Sequence, residues 1–253
     1  MKKLLFIIAI AVGAVSCFSP YGELSSIANV PGVEAGKGNN NYNGATTYKG
    51  ALLPDPDYGG REDMVYLLEL VGNQNVDIDD ETFVTQLNEK VFECTDKFIY
   101  IHDPEESDDR WSYAGEWVGG QMYYSLSLIE DGTFVIRHYP GCAYPDCGLE
   151  ELGYKGWHST GVWEYDKETN TLYTSEDKSY AAQVLYFDGE FAVLEGHVCP
   201  MWMYNSDSHN YRRSSPMELY GFKFSDGKAE YLDGFELTYK EYITLEEQLN
   251  AEQ

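Results

Sequence analysis

From residue 90 onward, apolar and polar positions alternate with a period of two, the spacing of a half-buried β-strand. Lys90 to His102 is rich in β-formers. Gln121 to Ile129 alternates, with Met122, Tyr124, Leu126 and Leu128 on one side. Further strands are predicted over Thr133–Tyr139, Thr160–Tyr165, Thr171–Thr174, Ala182–Phe187, Phe191–Val198 and Glu218–Phe224. Turn sequences separate them: Glu130-Asp131-Gly132, Asp166 to Asn170, Asp188-Gly189-Glu190 and Ser225-Asp226-Gly227-Lys228. Short strands joined by such turns predict sequential antiparallel hairpins.

One hairpin has a readable register. A two-residue Asp131-Gly132 loop would set Leu128 opposite Val135 and Leu126 opposite Arg137. A three-residue loop sets Leu128 opposite Phe134 and Leu126 opposite Ile136, which puts four apolar residues on one face. A type I turn with Gly132 in the left-handed region fits the second arrangement.

Ahead of residue 90 the pattern is weaker. Arg61 to Gly72 carries Met64, Val65, Leu67, Leu68, Leu70 and Val71, a spacing that fits a short helix or a strand. Asp79-Asp80-Glu81 precedes Phe83, Val84 and Leu87, which predicts a short helix with acid at its positive end. Residues 18–60 show no apolar period. They contain Gly36-Lys37-Gly38-Asn39-Asn40-Asn41 and Pro54-Asp55-Pro56-Asp57, the composition of a flexible tether.

The first sixteen residues have the parts of an export signal: Lys2 and Lys3, the apolar run Leu4–Val12, and small residues before Cys17. That run is shorter than the about 20 residues a spanning helix needs. Ala14-Val15-Ser16-Cys17 resembles the lipobox of bacterial lipoproteins. The resemblance implies cleavage before Cys17, a diacylglyceryl thioether on its sulfur, and acylation (palmitate) of the new amino terminus. Several acyl chains together anchor stably where one does not. Phe18 is not Asp, which by the sorting convention of that class implies the outer membrane, on a face the sequence does not specify.

Formal net charge is −26. Such a surface repels nucleic acid and anionic headgroups and suits cationic, neutral or sugar-like partners, or solubility alone. Hydrophobic residues make up 43% of the chain and Tyr occurs 22 times, so a β-rich core is expected rather than disorder. Besides Cys17 there are Cys94, Cys142, Cys147 and Cys199. In an exported chain an even number suits disulfides. Cys142 and Cys147 bracket a Pro-containing loop and are expected to pair. Zinc, with His138, His158 and His197 as helpers, is the weaker reading, because paired C-x-x-C spacing is missing.

Between Leu87 and Val198 the chain resembles the lipocalin-like lipoproteins of diderm gut bacteria. The likeness lies in Gly115-Glu116-Trp117, in Leu126 to Phe134 with its Asp-Gly-Thr-Phe hairpin, in Gly161-Val162-Trp163-Glu164-Tyr165, and in Thr171-Leu172-Tyr173. Lipocalins proper carry Gly-x-Trp on the first strand, where this chain has Leu87 to Phe92. The resemblance implies a mainly β fold: an antiparallel up-and-down β-barrel with a short N-terminal helix. The expected organisation is a signal peptide over 1–16, a lipidated tether over 17–60, the barrel over 61–235 and a C-terminal tail over 236–253.

No enzyme motif or cofactor motif stands in the sequence, so no catalytic residue, metal or cofactor is assigned. The acidic run Asp103 to Asp109 offers oxygens to calcium, but its plainer reading is a solvated loop. Trp117, Tyr124, Trp163, Tyr165 and Trp202 are the candidate ligand-binding residues, with barrel core as the alternative for the rings. Met201–Tyr204 opens a long segment suited to a barrel mouth. The expected function is non-enzymatic binding of a small apolar or glycan-like ligand by an envelope lipoprotein. The alternative is a structural protein with a filled barrel that docks to another envelope component.

Overall fold

The computed structural model of the chain describes residues 25–34, 46–55, 60–73, 91–94, 99–102, 115–119, 123–139, 152–198, 217–225 and 232–251. In chain order these form a 3-10 turn, Ser25–Ile27, then β1 Val33–Glu34, β2 Thr47–Tyr48, β3 Ala51–Leu52 and helix α1 Arg61–Gly72. They continue with β4 Val91–Cys94, β5 Ile99–His102, β6 Val118–Gly119, β7 Tyr123–Leu128, β8 Thr133–Tyr139, β9 Trp157–Val162 and β10 Glu164–Asp166. The last are β11 Thr171–Tyr173, β12 Ala181–Phe187, β13 Phe191–Gly196, β14 Met217–Ser225, β15 Leu237–Thr238 and helix α2 Tyr239–Ala251.

Strands β4 to β15 form one strongly curled sheet, antiparallel except where β15 runs parallel to β9. Its order is β10-β11-β12-β13-β14-β4-β7-β8-β9-β15. The order returns on itself, because β9 and β10, near its two ends, are separated in sequence by Trp163 alone. Consecutive Cα atoms lie about 3.8 Å apart, so the two strands must meet end to end. β4 and β5 both lie along β14, at Ser225–Lys223 and Tyr220–Met217 respectively. They therefore act as one interrupted strand, and β6 and β7 oppose it in the same way. Apart from β14 beside β4 and β5 and β9 beside β15, neighbours in the sheet are thus neighbours in sequence, the up-and-down order that the alternation and the resemblance led us to expect. The hairpin at Gly132 has the three-residue register: Leu126 pairs with Ile136 and Leu128 with Phe134, and Gly132 takes φ 88°.

Alternation divides the sheet into two faces. Leu126, Leu128, Phe134, Ile136, Phe92, Phe222, Leu194, Val184, Ala182 and Leu172 share the concave face and are buried. Phe92 and Phe222 meet edge to face at 6.0 Å, and Phe92 lies 4.2 Å from Phe224. Each such side chain contributes about 1.5–3 kcal/mol on burial. The other face exposes Glu93, Gln183 and Lys223, except where a second layer covers it.

That layer is the N-terminal part. Within the stretch expected to act as a tether, residues 25–34 and 46–55 are folded. Strands β1, β2 and β3 make a small antiparallel sheet, and Ile27, Val30, Tyr48, Ala51 and Leu53 are buried. Strands of two residues carry no visible period, which is why alternation did not reveal them. The open question over residues 61–72 resolves as helix. Met64, Leu67 and Leu68 fall on one buried face at helical spacing. Gly60 caps the helix in the left-handed region without a side-chain bond, at a cost of a few tenths of a kcal/mol beside Ser or Asp. The expected C-terminal tail contains β15 and α2. Tyr239 and Tyr242 of α2 pack on Trp157 at 4.6 and 5.7 Å. The helix expected over 79–87 lies outside the described residues.

Candidate functional site

The two ends of the curled sheet differ. At one end, tight turns join β7 to β8, β10 to β11 and β12 to β13. Each is pinned by an aspartate: Asp131 Oδ1 accepts from Thr133 N at 2.9 Å, Asp166 Oδ1 from Glu168 N at 2.9 Å, and Asp188 Oδ1 from Phe191 N at 2.7 Å. At the other end leave the connections 103–117, 140–156, 174–180 and 197–216. Binding residues gather on such connections, carried by a rigid scaffold.

The concave face follows the same division. Towards the turn end it is apolar, with Leu128, Phe134, Phe187, Phe222 and Phe224. Towards the loop end it becomes polar, with His138, Tyr220 and Glu218. Glu218 stands near the start of β14, in register with Tyr220 and Phe222 two and four residues on. It is fully buried. Tyr220 Oη donates to its Oε2, and His197 Nδ1 lies 3.4 Å from the same oxygen. Its other oxygen, Oε1, is buried without a hydrogen-bond partner. Burial pushes the Glu218 carboxyl above the ordinary glutamate range, opposed in part by His197 and Tyr220. His138 stacks on Trp157 at 3.8 Å, and burial holds its imidazole well below the ordinary histidine range.

Towards β13 the concave face beside Glu218 carries little bulk, whereas on the β5 side Glu218 pairs with Ile101. The β13–β14 ladder runs to the pair Glu195–Leu219, so Gly196 follows beside Glu218, and Gly196 in turn pairs with Ala182. Gly196 has φ 130°, and a Cβ there would stand 2.2 Å from the Ala181 carbonyl oxygen. Glycine is required at that position by the backbone itself.

The sequence-predicted site residues are not brought together. Trp117 is buried on the convex side, where its indole N–H donates to Tyr48 O at 2.9 Å and its ring meets His102 at 4.2 Å. Trp163 stands at the turn end, its indole N–H donating to Ile129 O at 2.9 Å. Tyr165 lies on the concave face near the same end, its hydroxyl donating to Asn170 Oδ1 at 3.0 Å. Tyr124 pairs with His138 and Cys94, so its backbone lies at the loop end. Cys17, Cys142, Cys147 and Trp202 lie outside the described residues, as does the acidic run 103–109. Of the three histidines weighed for zinc, His158 places Nδ1 2.5 Å from Phe235 O on the convex face, opposite to His138. Among the described residues no three His, Cys, Asp or Glu side chains come together as a metal site.

Sequence reasoning passed over Glu218. Its signal was nonetheless present: Glu218, Tyr220, Phe222 and Phe224 share one parity, and an acid in register with three rings has to be buried with them.

No protein-family model matches the chain, and no curated protein matches it. Among solved structures, a bovine odorant binding protein (a deswapped triple mutant) is similar, with a TM-score of 0.29 and 9% identity. The match covers 66% of this chain and 87% of that one. The fold assignment rests on this chain's own strand order and register.

Proposed function

We propose that this chain is a cell-envelope lipoprotein, anchored to the outer membrane through Cys17, that binds a small ligand at the loop-bearing end of its curled sheet. The observation that supports it most is Glu218. A carboxyl oxygen buried without a partner costs about 1–3 kcal/mol or more, and it stands at the end of the sheet from which the longer connections leave. Catalysis is not part of this reading. The ligand is small and largely apolar, or a glycan whose hydroxyls reach the polar residues. Trp202 and the Met201–Tyr204 segment belong to the 197–216 connection at this end. A Cys142–Cys147 disulfide would close a loop within the 140–156 connection at the same end, and non-reducing peptide mapping tests it.

The binding test is calorimetry on the folded domain with alkyl-chain probes and an oligosaccharide set. Saturable binding that weakens in Glu218→Gln supports the reading. Absence of binding by either class counts against it. Mass spectrometry of the processed amino terminus, alongside a Cys17→Ala variant, tests the anchor. A wild-type chain without lipid rejects it.

A second reading draws on the rings of Phe92, Phe222, Phe224 and Phe187, which fill the concave face near the turn end. They favour a filled interior there and docking to another envelope component. Cross-linking in intact envelopes separates it from ligand binding.

A further inference from the structure

We infer that the ligand at the loop-bearing end carries a cationic amine on an apolar body, with its ammonium group meeting Glu218 Oε1. This rests on the binding role proposed above and specifies what is bound. The first ground is the lopsided bonding of the carboxyl. Both neighbours, Tyr220 Oη and His197 Nδ1, approach Oε2 and leave Oε1 bare although the group is fully buried. In its ionised form what the carboxylate lacks at Oε1 is a donor, and an ionised donor gives the stronger hydrogen bond to it.

The second ground is charge. Among the described residues no lysine or arginine stands on the concave face. Arg137 pairs with Ser125 and His158 on the convex face, and its Nη1 donates to Ser127 Oγ at 2.7 Å. Lys223 belongs to the exposed face, and Lys49 is taken by Glu195. A buried carboxylate with no lysine or arginine among the described residues of its face gains from a ligand that brings a cation. The net charge of −26 draws cations towards the chain and repels carboxylates and phosphates.

The third ground is shape. On the β13 side Gly196 and Ala182 put at most one methyl group beside Glu218, Ile101 of β5 is its cross-strand partner on the other side, and Leu194, Tyr220 and Phe222 supply apolar surface on the same face. Aromatic faces also attract cations. Such a surface suits an alkyl or aryl amine better than a polyol, whose many hydroxyls would find only a few polar partners.

The experiment uses three probes of one chain length, dodecylamine, dodecanol and dodecanoate. Each is titrated below its micelle concentration into the full chain in about 0.15 M salt, where surface attraction is screened beyond about 8 Å. Dodecylamine should bind at least tenfold more tightly than dodecanol, and dodecanoate the least. Glu218→Gln keeps the shape and removes the charge. It should weaken dodecylamine at least tenfold while leaving dodecanol within about threefold. Glu247→Gln, an exposed acid on α2, should change neither. The inference is overturned if the alcohol matches the amine, or if Glu218→Gln leaves the amine's advantage intact. Equal binding of all three probes overturns it too but leaves the binding role standing. If no probe binds to a chain shown by circular dichroism to be folded, the inference fails, and the oligosaccharide titration decides whether the binding role fails with it.

Discussion

Tyr48 and Glu195, 147 residues apart, share a hydrogen bond of 2.5 Å from the Tyr48 hydroxyl to Oε2. The Lys49 ammonium takes the other oxygen, Oε1. Together they fasten the small N-terminal sheet to the convex side of β13. Burial and the Glu195 charge push the Tyr48 hydroxyl far above the ordinary tyrosine range, so it acts as a donor at every physiological pH. Hydrogen bonds to charged groups contribute about 1.5–3 kcal/mol. Tyr48→Phe should therefore lower stability by about that much. Amide hydrogen exchange should speed up first at residues 46–53, and unchanged protection there would show that the bond does not hold the layer.

Trp163 is the residue through which the strand order closes. Its ring packs against the core and its N–H is bonded to Ile129 O. Trp163→Phe keeps most of the packing and removes the bond, so it should cost about 1 kcal/mol. Trp163→Ala also removes the packing and should cost about 3 kcal/mol, the lower end for such truncations because the ring is only partly buried. Urea denaturation distinguishes the two. Equal losses would mean that the hydrogen bond carries the whole effect.

Two glycines test how tightly the sheet is built. At Gly161 an added Cβ would lie 2.6 Å from the Phe134 ring, a side chain able to shift. Gly161→Ala should cost about 1–3 kcal/mol, as overpacking does. At Gly196 the obstacle is the Ala181 carbonyl oxygen at 2.2 Å, and φ is 130°. Backbone cannot yield as a ring can, so Gly196→Ala should be the more damaging of the two by melting temperature. The reverse order would refute the rigid contact between β12 and β13.

The strands and their order were legible because alternation, Asp-Gly turns and register are local properties. Leu126, Leu128, Phe134 and Ile136 sit where a three-residue turn puts them. What could not be read depends on contacts distant in sequence. Trp117 looks like a barrel tryptophan, yet it is covered from outside by Tyr48 and His102. The strands β1 to β3 are stable only because the convex face receives them. Trp157 was not assigned to a strand; besides His138 of β8 its partners are β15 and α2, some eighty residues downstream. The candidate site was missed for another reason. The rings were weighed as ligand contacts, whereas the residue that stands out is an acid sharing their face.

Glu218 should leave a signature in the pH dependence of stability. Its folded-state carboxyl titrates above the ordinary glutamate value because it is buried, while in the unfolded chain it titrates near about 4.3. Between those two values the folded chain keeps a proton that the unfolded chain has released. Stability contributed by this group is therefore full below about pH 4.3, falls as pH rises through the window, and is constant above it. His197, 3.4 Å away, and the Tyr220 hydroxyl both act against the elevation without abolishing it. The exposed carboxyls Asp131, Asp166, Asp177 and Glu241 titrate below their ordinary values. Their contribution changes only at lower pH and in the opposite sense, so the two can be separated. Each pKa unit of elevation corresponds to about 1.4 kcal/mol. Relative to wild type, Glu218→Gln should therefore gain melting temperature as pH is raised from about 4.5 to 7.5, and lose that advantage at the acid end. Parallel curves for the two proteins across this range would mean that Glu218 titrates alike in the folded and unfolded chains, and that its burial places no demand on a ligand.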